Sequence, residues 1–440
     1  MRMSFCTGPL KNLTADKKRL ASNFFSLSVV KWADVVLPLV TFPYLARVLG
    51  ARGFGMVAFA QAFVNFFALI RDYGFNLSAT KEISISRNDK EKVSEIFSSV
   101  MIAKAGFVLA SFLIVSIAVL NLHVFSDNRL LYFLTFGTLV GNGLLPIWLF
   151  QGMEKMGPMA VLDLLARVAY TVSIFIFVRK TSDYIYVPVL SSVISSGAGL
   201  LALLVAVKTF GIRFKIPSSE AINHQLKEGW RIFTAMAANS LYSMSDTFIL
   251  GLFASREAVG YYSAGSKIIR AAHRMLTPVY DSVYPYISKM AQESRENAIG
   301  FIRKMLKIAG IPVLLVSIIL FCFAPEISAM ALGKNFSESI PVLRILAFLP
   351  ILFFLNNFFG MQTMLPLGLK KAFSSIFISA AALNILLALV LVPPMKQTGI
   401  SIAVLITETY VPVAMLFHLY RRGVRLFKIR SLQPGTGAGV

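Results

Sequence analysis

The chain has 440 residues, of which 56% are hydrophobic and 15% charged, with a mean hydropathy of +0.71 and a formal net charge of +22. A soluble globular domain carries about 25% charged residues, so this composition excludes a soluble enzyme and leaves the basic excess without the nucleic-acid meaning it would have in water. Cys6 and Cys322 stand far apart and fit neither a disulfide framework nor a metal-ligand pair.

The N-terminus, MRMSFCTGPLKNLTADKKRL, is too polar for a cleaved signal peptide, so the first apolar segment is expected to stay as a span. A span needs about 20 apolar residues. Twelve such segments follow in order: about 21–43, 54–75, 96–120, 130–150, 159–178, 184–207, 230–252, 258–287, 304–324, 341–364, 372–392 and 399–419. The expected fold is therefore an all-α polytopic membrane protein, and charges interrupt its first and eighth segments. Its expected organisation is a bundle over 1–207 with a basic N-terminus, a linker over 208–229, a second bundle over 230–420 and a basic tail over 421–440.

The stretch from Leu37 to Ser84 sets the pattern for the rest. It turns through Leu49, Gly50, Gly53 and Gly55, then carries Gln61, Asn65, Asp72 and Asn76 along its second helix. A 3.6-residue period puts these four within about 60° of one face. A polar stripe in a lipid-length helix must face protein or a water-filled cavity, because hydrocarbon offers it no partner.

Lysine and arginine in the connections predict the orientation. One set of connections and the two ends hold 27 of them, concentrated in the termini and in the 76–94, 209–229 and 289–303 segments. The opposite set holds eight: Arg47, Arg52, Arg129, Arg179, Lys180, Arg256, Lys334 and Lys396. Both termini are expected in the cytoplasm. The chain also repeats itself. Gly50–Ala60 resembles Ser255–Gly265, with Gly55 over Gly260, and Gln151 and Gly157 answer Gln362 and Gly368 at a similar offset. Six spans per half is an even number, so both halves enter from the same side and their pseudo-two-fold lies along the membrane normal.

Eight bases lie within the spans: Lys31, Arg71, Lys104, Arg167, Lys267, Arg270, Arg274 and Arg344. Each costs about 2.5–3.5 kcal/mol at a helix centre, less where it snorkels. Lys267, Arg270, Arg274 and Asp281 share one face of segment 8, Lys31 and Asp34 one face of segment 1, and Asn239, Ser243 and Asp246 one face of segment 7. Interhelical ion pairs are the plainer explanation of any of these, but the excess of positive charge points to an anionic passenger. Glu408 is an isolated acid in an apolar stretch, either a coupling group for a proton or cation or a neutral structural acid. Neither an HExxH pair nor a P-loop occurs, so neither metal-dependent hydrolysis nor ATP hydrolysis is expected within the chain. No cofactor or metal is expected, and the outward connections leave little room for a catalytic loop.

Pro43–Gly50, Gly53–Phe54–Gly55, Ala58–Gln61 and Asp72–Thr80 closely resemble the N-terminal signature of Wzx-type flippases, with Gln151–Gly152 and Gly260–Ala264 as further landmarks. These are the O-antigen or polysaccharide repeat-unit translocases of the multidrug/oligosaccharidyl-lipid/polysaccharide superfamily. The resemblance implies two six-helix bundles around a cationic cavity in the bacterial inner membrane, and no enzymatic activity. It implies that an undecaprenyl-diphosphate-linked oligosaccharide is moved from the cytoplasmic to the periplasmic leaflet by ion-coupled alternating access. Polysaccharide polymerase and chain-length proteins would be partners, and membrane lipids, H⁺ or Na⁺ the other ligands. On that basis Lys267, Arg270 and Arg274, with Lys31 and Arg71, are expected to hold the diphosphate. Gln61, Asn65 and Asn239 would face the sugars, and Asp34, Asp246 and Glu408 are the candidates for ion coupling. A cation-coupled drug exporter would want acidic groups inside, and a glycosyl polymerase or ligase would want a large periplasmic loop. Neither expectation matches this chain.

Overall fold

The computed structural model describes the backbone of residues 8–424 and 426, and the side chains of 36–234, 245–277, 280, 282–424 and 426. Every regular element among the described residues is helical. Hydrocarbon demands this, since only a helix or a closed barrel satisfies its own backbone there. Helix α1, Gly8–Asp72, is 65 residues long, far more than one crossing needs. It is two rods joined at Gly50, whose φ of 66° and ψ of 176° suit only a residue without Cβ. The order continues with α2 (Phe75–Ile85), α3 (Lys90–Asn121), α4 (Arg129–Gly143), α5 (Ile147–Gly152), α6 (Gly157–Phe177) and α7 (Tyr186–Phe210). Then come α8 (Ser219–Phe253), α9 (Arg256–Arg274), α10 (Thr277–Glu293), α11 (Arg295–Cys322) and α12 (Ala324–Ala331). The last are α13 (Ser339–Leu346), α14 (Leu349–Asn356) and α15 (Lys370–Arg421), the 52-residue α15 being broken at Lys396. With α1 and α15 split at their breaks, each of the twelve predicted segments falls on helix among the described residues. The helices outrun the apolar segments because their polar turns are capped. Asp89, for example, accepts from the amides of Glu91 and Lys92 at 3.0 Å and starts α3 six residues before the apolar run.

By contact density the chain falls into two compact units. One runs to Ala264 and includes Ala329–Ser337, and the other holds Gly265–Ser328 and Glu338 onward. This is a boundary of packing, distinct from the 1–207 and 230–420 halves that the repeat suggests.

In the first unit, α2 is the charged exit of the leading stretch, and its buried face is Phe75, Ala79 and Ile83. These join Phe97 and Val100 of α3, Trp148 to Phe150 of α5, and Ala202 and Phe210 of α7 in one core. Gly152 is required there: a Cβ would stand 2.7 Å from Ile83. The 211–218 segment is laid along α3, with Arg213 N donating to Ser94 Oγ at 3.2 Å and Lys215 N to Ser98 Oγ at 3.0 Å. In α8, His224 and Gln225 lie 3.0 and 2.6 Å from the Glu82 carboxylate. In the connections, Arg87 is 2.9 Å from Glu154, and this hydrogen bond holds the Glu154 carboxyl below the usual carboxylate range. In the second rod of α1, Phe59 and Phe63 stack on Phe248, meet Tyr132 edge to face and pack on Phe125, and α1 crosses α9 at Gly55 and Gly260 with backbone against backbone. Exposed apolar residues such as Leu113, Ile117 and Leu120 form the face that lipid must cover.

In the second unit, α13 and α14 pack against α15, and Val342, Leu346 and Phe354 are buried, as are Ala388, Val392, Val404, Val411 and Met415 of α15. After α14 the chain takes a π-helix, Asn357–Met364. There Thr363 Oγ1 bonds back to Phe358 O at 2.7 Å, and Gln362 Nε2 donates to Tyr280 O at 3.1 Å.

Candidate functional site

Lipid-length helices can keep charge only where it is paired or wet, so the candidate site is built from the polar groups inside them. In the first unit, Arg71 ends α1 beside Asp72. Arg71 Nε donates to Asp72 Oδ1 at 3.0 Å, Nη2 to Oδ2 at 2.7 Å, and Nη1 to the carbonyl of Leu139 at 3.2 Å. Lys104 of α3 brings its ammonium to 3.4 Å from Asp72 Oδ1. Two bases and one acid thus form a buried cluster with an excess of one positive charge. The helix stops at this point. Tyr73 has φ 40° and Gly74 φ 81°, and α2 restarts at Phe75. Asn76 therefore leaves the stripe, because the period that aligned it with Gln61, Asn65 and Asp72 is interrupted. Gln61 is half-buried and Asn65 exposed.

Also in the first unit, Asp246 of α8 is buried and accepts from the Tyr262 hydroxyl at 3.2 Å. Arg256, which the sequence places in a connection, is buried instead. Its Nη1 donates to Gly251 O at 2.8 Å, its Nη2 donates to Val124 O, and its guanidinium lies 4.1 Å from the Phe59 ring centroid. Such a group locks a helix start against its neighbours.

In the second unit, Lys267, Arg270 and Arg274 follow one another at i, i+3 and i+7 along α9, a single face. Lys267 and Arg274 are exposed, and Arg270 is half-buried with its Nε donating to Ser266 Oγ at 3.1 Å. Glu408 is buried in α15 and accepts from Asn356 Nδ2 at 2.7 Å. Elsewhere, Arg167 pairs with Asp163 one turn back at 2.9 Å, and Arg344 is exposed.

The structure thus brings Lys267, Arg270 and Arg274 together, and pairs Arg71 with Asp72 rather than leaving it to reach a headgroup. The side chains of Lys31, Asp34, Asn239 and Asp281 lie outside the described residues. Three members carry little signal in sequence. Lys104 meets Asp72 only through packing of α3 on α1, Asn356 is a neutral amide in an apolar run, and Tyr262 looks like one more aromatic. Asp72 already stands in the polar stripe that the sequence singles out, and its place beside Arg71 at the Tyr73–Gly74 break is the signal for its pairing.

Lipid-length helical segments with ionic groups held among them define a multi-pass membrane protein. The fold matches that of the lipid II flippase MurJ in an inward closed conformation, with a TM-score of 0.65 at 14% identity over 89% of this chain and 87% of that one. It matches equally an inward-facing multidrug resistance MATE family transporter of the MOP superfamily, with a TM-score of 0.65 at 16% identity over 90% and 98% of the two chains. These likenesses establish the fold. More particularly, the chain belongs to the polysaccharide biosynthesis protein family, whose model matches residues 20–291. A protein of Escherichia coli (strain K12) that bears the name of an O-antigen transporter is 33% identical over 404 residues, 92% of this chain and 97% of its own length.

Proposed function

We propose that this protein is a flippase of the polysaccharide-exporting branch of the superfamily. It moves an undecaprenyl-diphosphate-linked oligosaccharide, an O-antigen unit or a related surface-polysaccharide unit, from the cytoplasmic to the periplasmic leaflet of the bacterial inner membrane. The observation that carries this reading is the end-to-end likeness to the E. coli relative named for O-antigen transport. The basic row on α9 supports it, since Lys267, Arg270 and Arg274 give a diphosphate both fork-shaped and point-charge partners. Lys31 completes the proposed phosphate set, from which Arg71 drops out because Asp72 and Leu139 O occupy its guanidinium, and Gln61, Asn65 and Asn239 make up the sugar-facing one. Alternating access is driven by H⁺ or Na⁺, with Glu408, Asp246 or Asp34 as the carboxylate that takes it up. Both termini are cytoplasmic in this reading. A drug exporter has the same fold, but a row of three bases along α9 disfavours a cationic passenger.

The test is complementation of a strain lacking the gene. Arg270→Ala and Arg274→Ala should abolish surface polysaccharide at normal membrane levels of protein, and Arg274→Lys should keep part of it. Full export by both alanine variants would overturn the diphosphate site.

A further inference from the structure

From the geometry around the end of α1 we infer that Asp72 is a glycan-facing hydrogen-bond acceptor, held in place by the two bases behind it. The inference rests on the flippase reading and assigns a sugar contact within it. Arg71 and Lys104 have side chains 9% and 3% exposed, whereas the Asp72 side chain is 29% exposed. The group that a passenger meets here is therefore the carboxylate. The guanidinium is committed on three sides, to both Asp72 oxygens and to Leu139 O. It is also fixed from behind by α4, where a Cβ on Gly143 would stand 3.2 Å from Arg71 Cδ.

Counting lone pairs shows what remains. An ionised carboxylate has about four acceptor positions. Arg71 Nε and Lys104 Nζ occupy Oδ1, and Arg71 Nη2 occupies one position on Oδ2. One position on Oδ2 is left for an external donor. A phosphate offers none at neutral pH and is repelled by the carboxylate, while a sugar hydroxyl or amino group fits. Asn65 and Gln61 lie seven and eleven residues earlier in the same helix, within about 20° of the Asp72 direction. The row spans about 16 Å along the axis, long enough for a short oligosaccharide. Its amides donate and accept, and its carboxylate only accepts, which complements a run of hydroxyls.

Two pairs of variants test this in the complemented strain, read as surface polysaccharide per unit of membrane protein. Asp72→Asn should lower export about tenfold or more, the loss expected for one hydrogen bond to a charged group. Lys104→Met leaves Asp72 clasped by Arg71 alone and should lower export by less than Asp72→Asn does. The double variant Asp72→Asn/Lys104→Met restores the charge balance. If Asp72 serves the sugar it stays defective, and if Asp72 only neutralises Lys104 it recovers, which overturns the inference. Because the double variant can fail to insert, Asn65→Phe on the exposed position of the same face gives an independent reading. Export equal to the parent's in Asn65→Phe removes the glycan from this face. Failure of the flippase reading looks different, since the unaltered chain would then restore no polysaccharide at all.

Discussion

Gly55 and Gly260 occupy one helix crossing in a reciprocal way. A Cβ on Gly55 would lie 1.7 Å from the Arg256 carbonyl oxygen, and a Cβ on Gly260 would lie 2.0 Å from the Ala51 carbonyl oxygen. Ala51 and Arg256 each stand four residues before the facing helix's own glycine, so each glycine meets the partner helix at the equivalent site. Contacts of that kind are what a two-fold axis imposes, and Gly55 and Gly260 are the residues that the internal repeat pairs.

Gly55→Ala and Gly260→Ala should therefore each destabilise the protein by at least about 1–3 kcal/mol, the cost of overpacking where backbone cannot yield. Thermal unfolding in detergent reads this. Gly157→Ala is the control, because a Cβ there would meet nothing within 4 Å. Equal melting temperatures for all three variants would show that the crossing is not close in the folded protein.

Arg256 provides a second measurement. Arg256→Lys keeps the charge but cannot reach both Gly251 O and Val124 O or lie flat on Phe59. Losing one or both of those bonds leaves buried carbonyls without a donor, at about 1–3 kcal/mol each. Lysine and alanine should thus lower the melting temperature by similar amounts, and near-complete rescue by lysine would mean that charge alone matters.

Glu408 separates a coupling role from a structural one. Glu408→Gln keeps the volume and an acceptor for Asn356, so insertion and stability should stay close to those of the parent. If the carboxylate takes up the driving ion, export fails in this variant. Asn356→Ala removes the 2.7 Å donor and should shift the ion dependence of export rather than abolish it. Normal export by Glu408→Gln would make the acid structural.

For topology, a cysteine at Ser218 or Glu293 should be shielded from an impermeant thiol reagent in intact cells and labelled after the inner membrane is opened. Labelling of either in intact periplasm-accessible cells would reverse the orientation drawn from the basic bias.

Hydropathy exposed the spans because the lipid requirement acts on composition alone, and the glycine pair was visible because a repeat preserves spacing. The ionic contacts were less legible. Lys104 and Asp72 are 32 residues apart and meet only once α3 packs on α1, and no period within one helix records that. Arg256 follows a two-residue break, Ala254–Ser255, and reads as a connection base until its carbonyl partners are placed. Asn76 fell out of the stripe through a local cause, the positive φ of Tyr73 and Gly74, which a helical wheel ignores.

Phe336 packs against Phe54 at a ring distance of 6.4 Å and against Tyr261 at 5.9 Å. The consequence lies in the order of synthesis. Helices enter the bilayer from the N-terminus onward, yet the first compact unit draws its last contacts from Ala329–Ser337. The early spans must wait, inserted but with part of their aromatic face uncovered, until the ribosome has made more than three hundred residues. A chain interrupted before that point would leave Phe54 and Tyr261 without the Phe336 ring that packs on both.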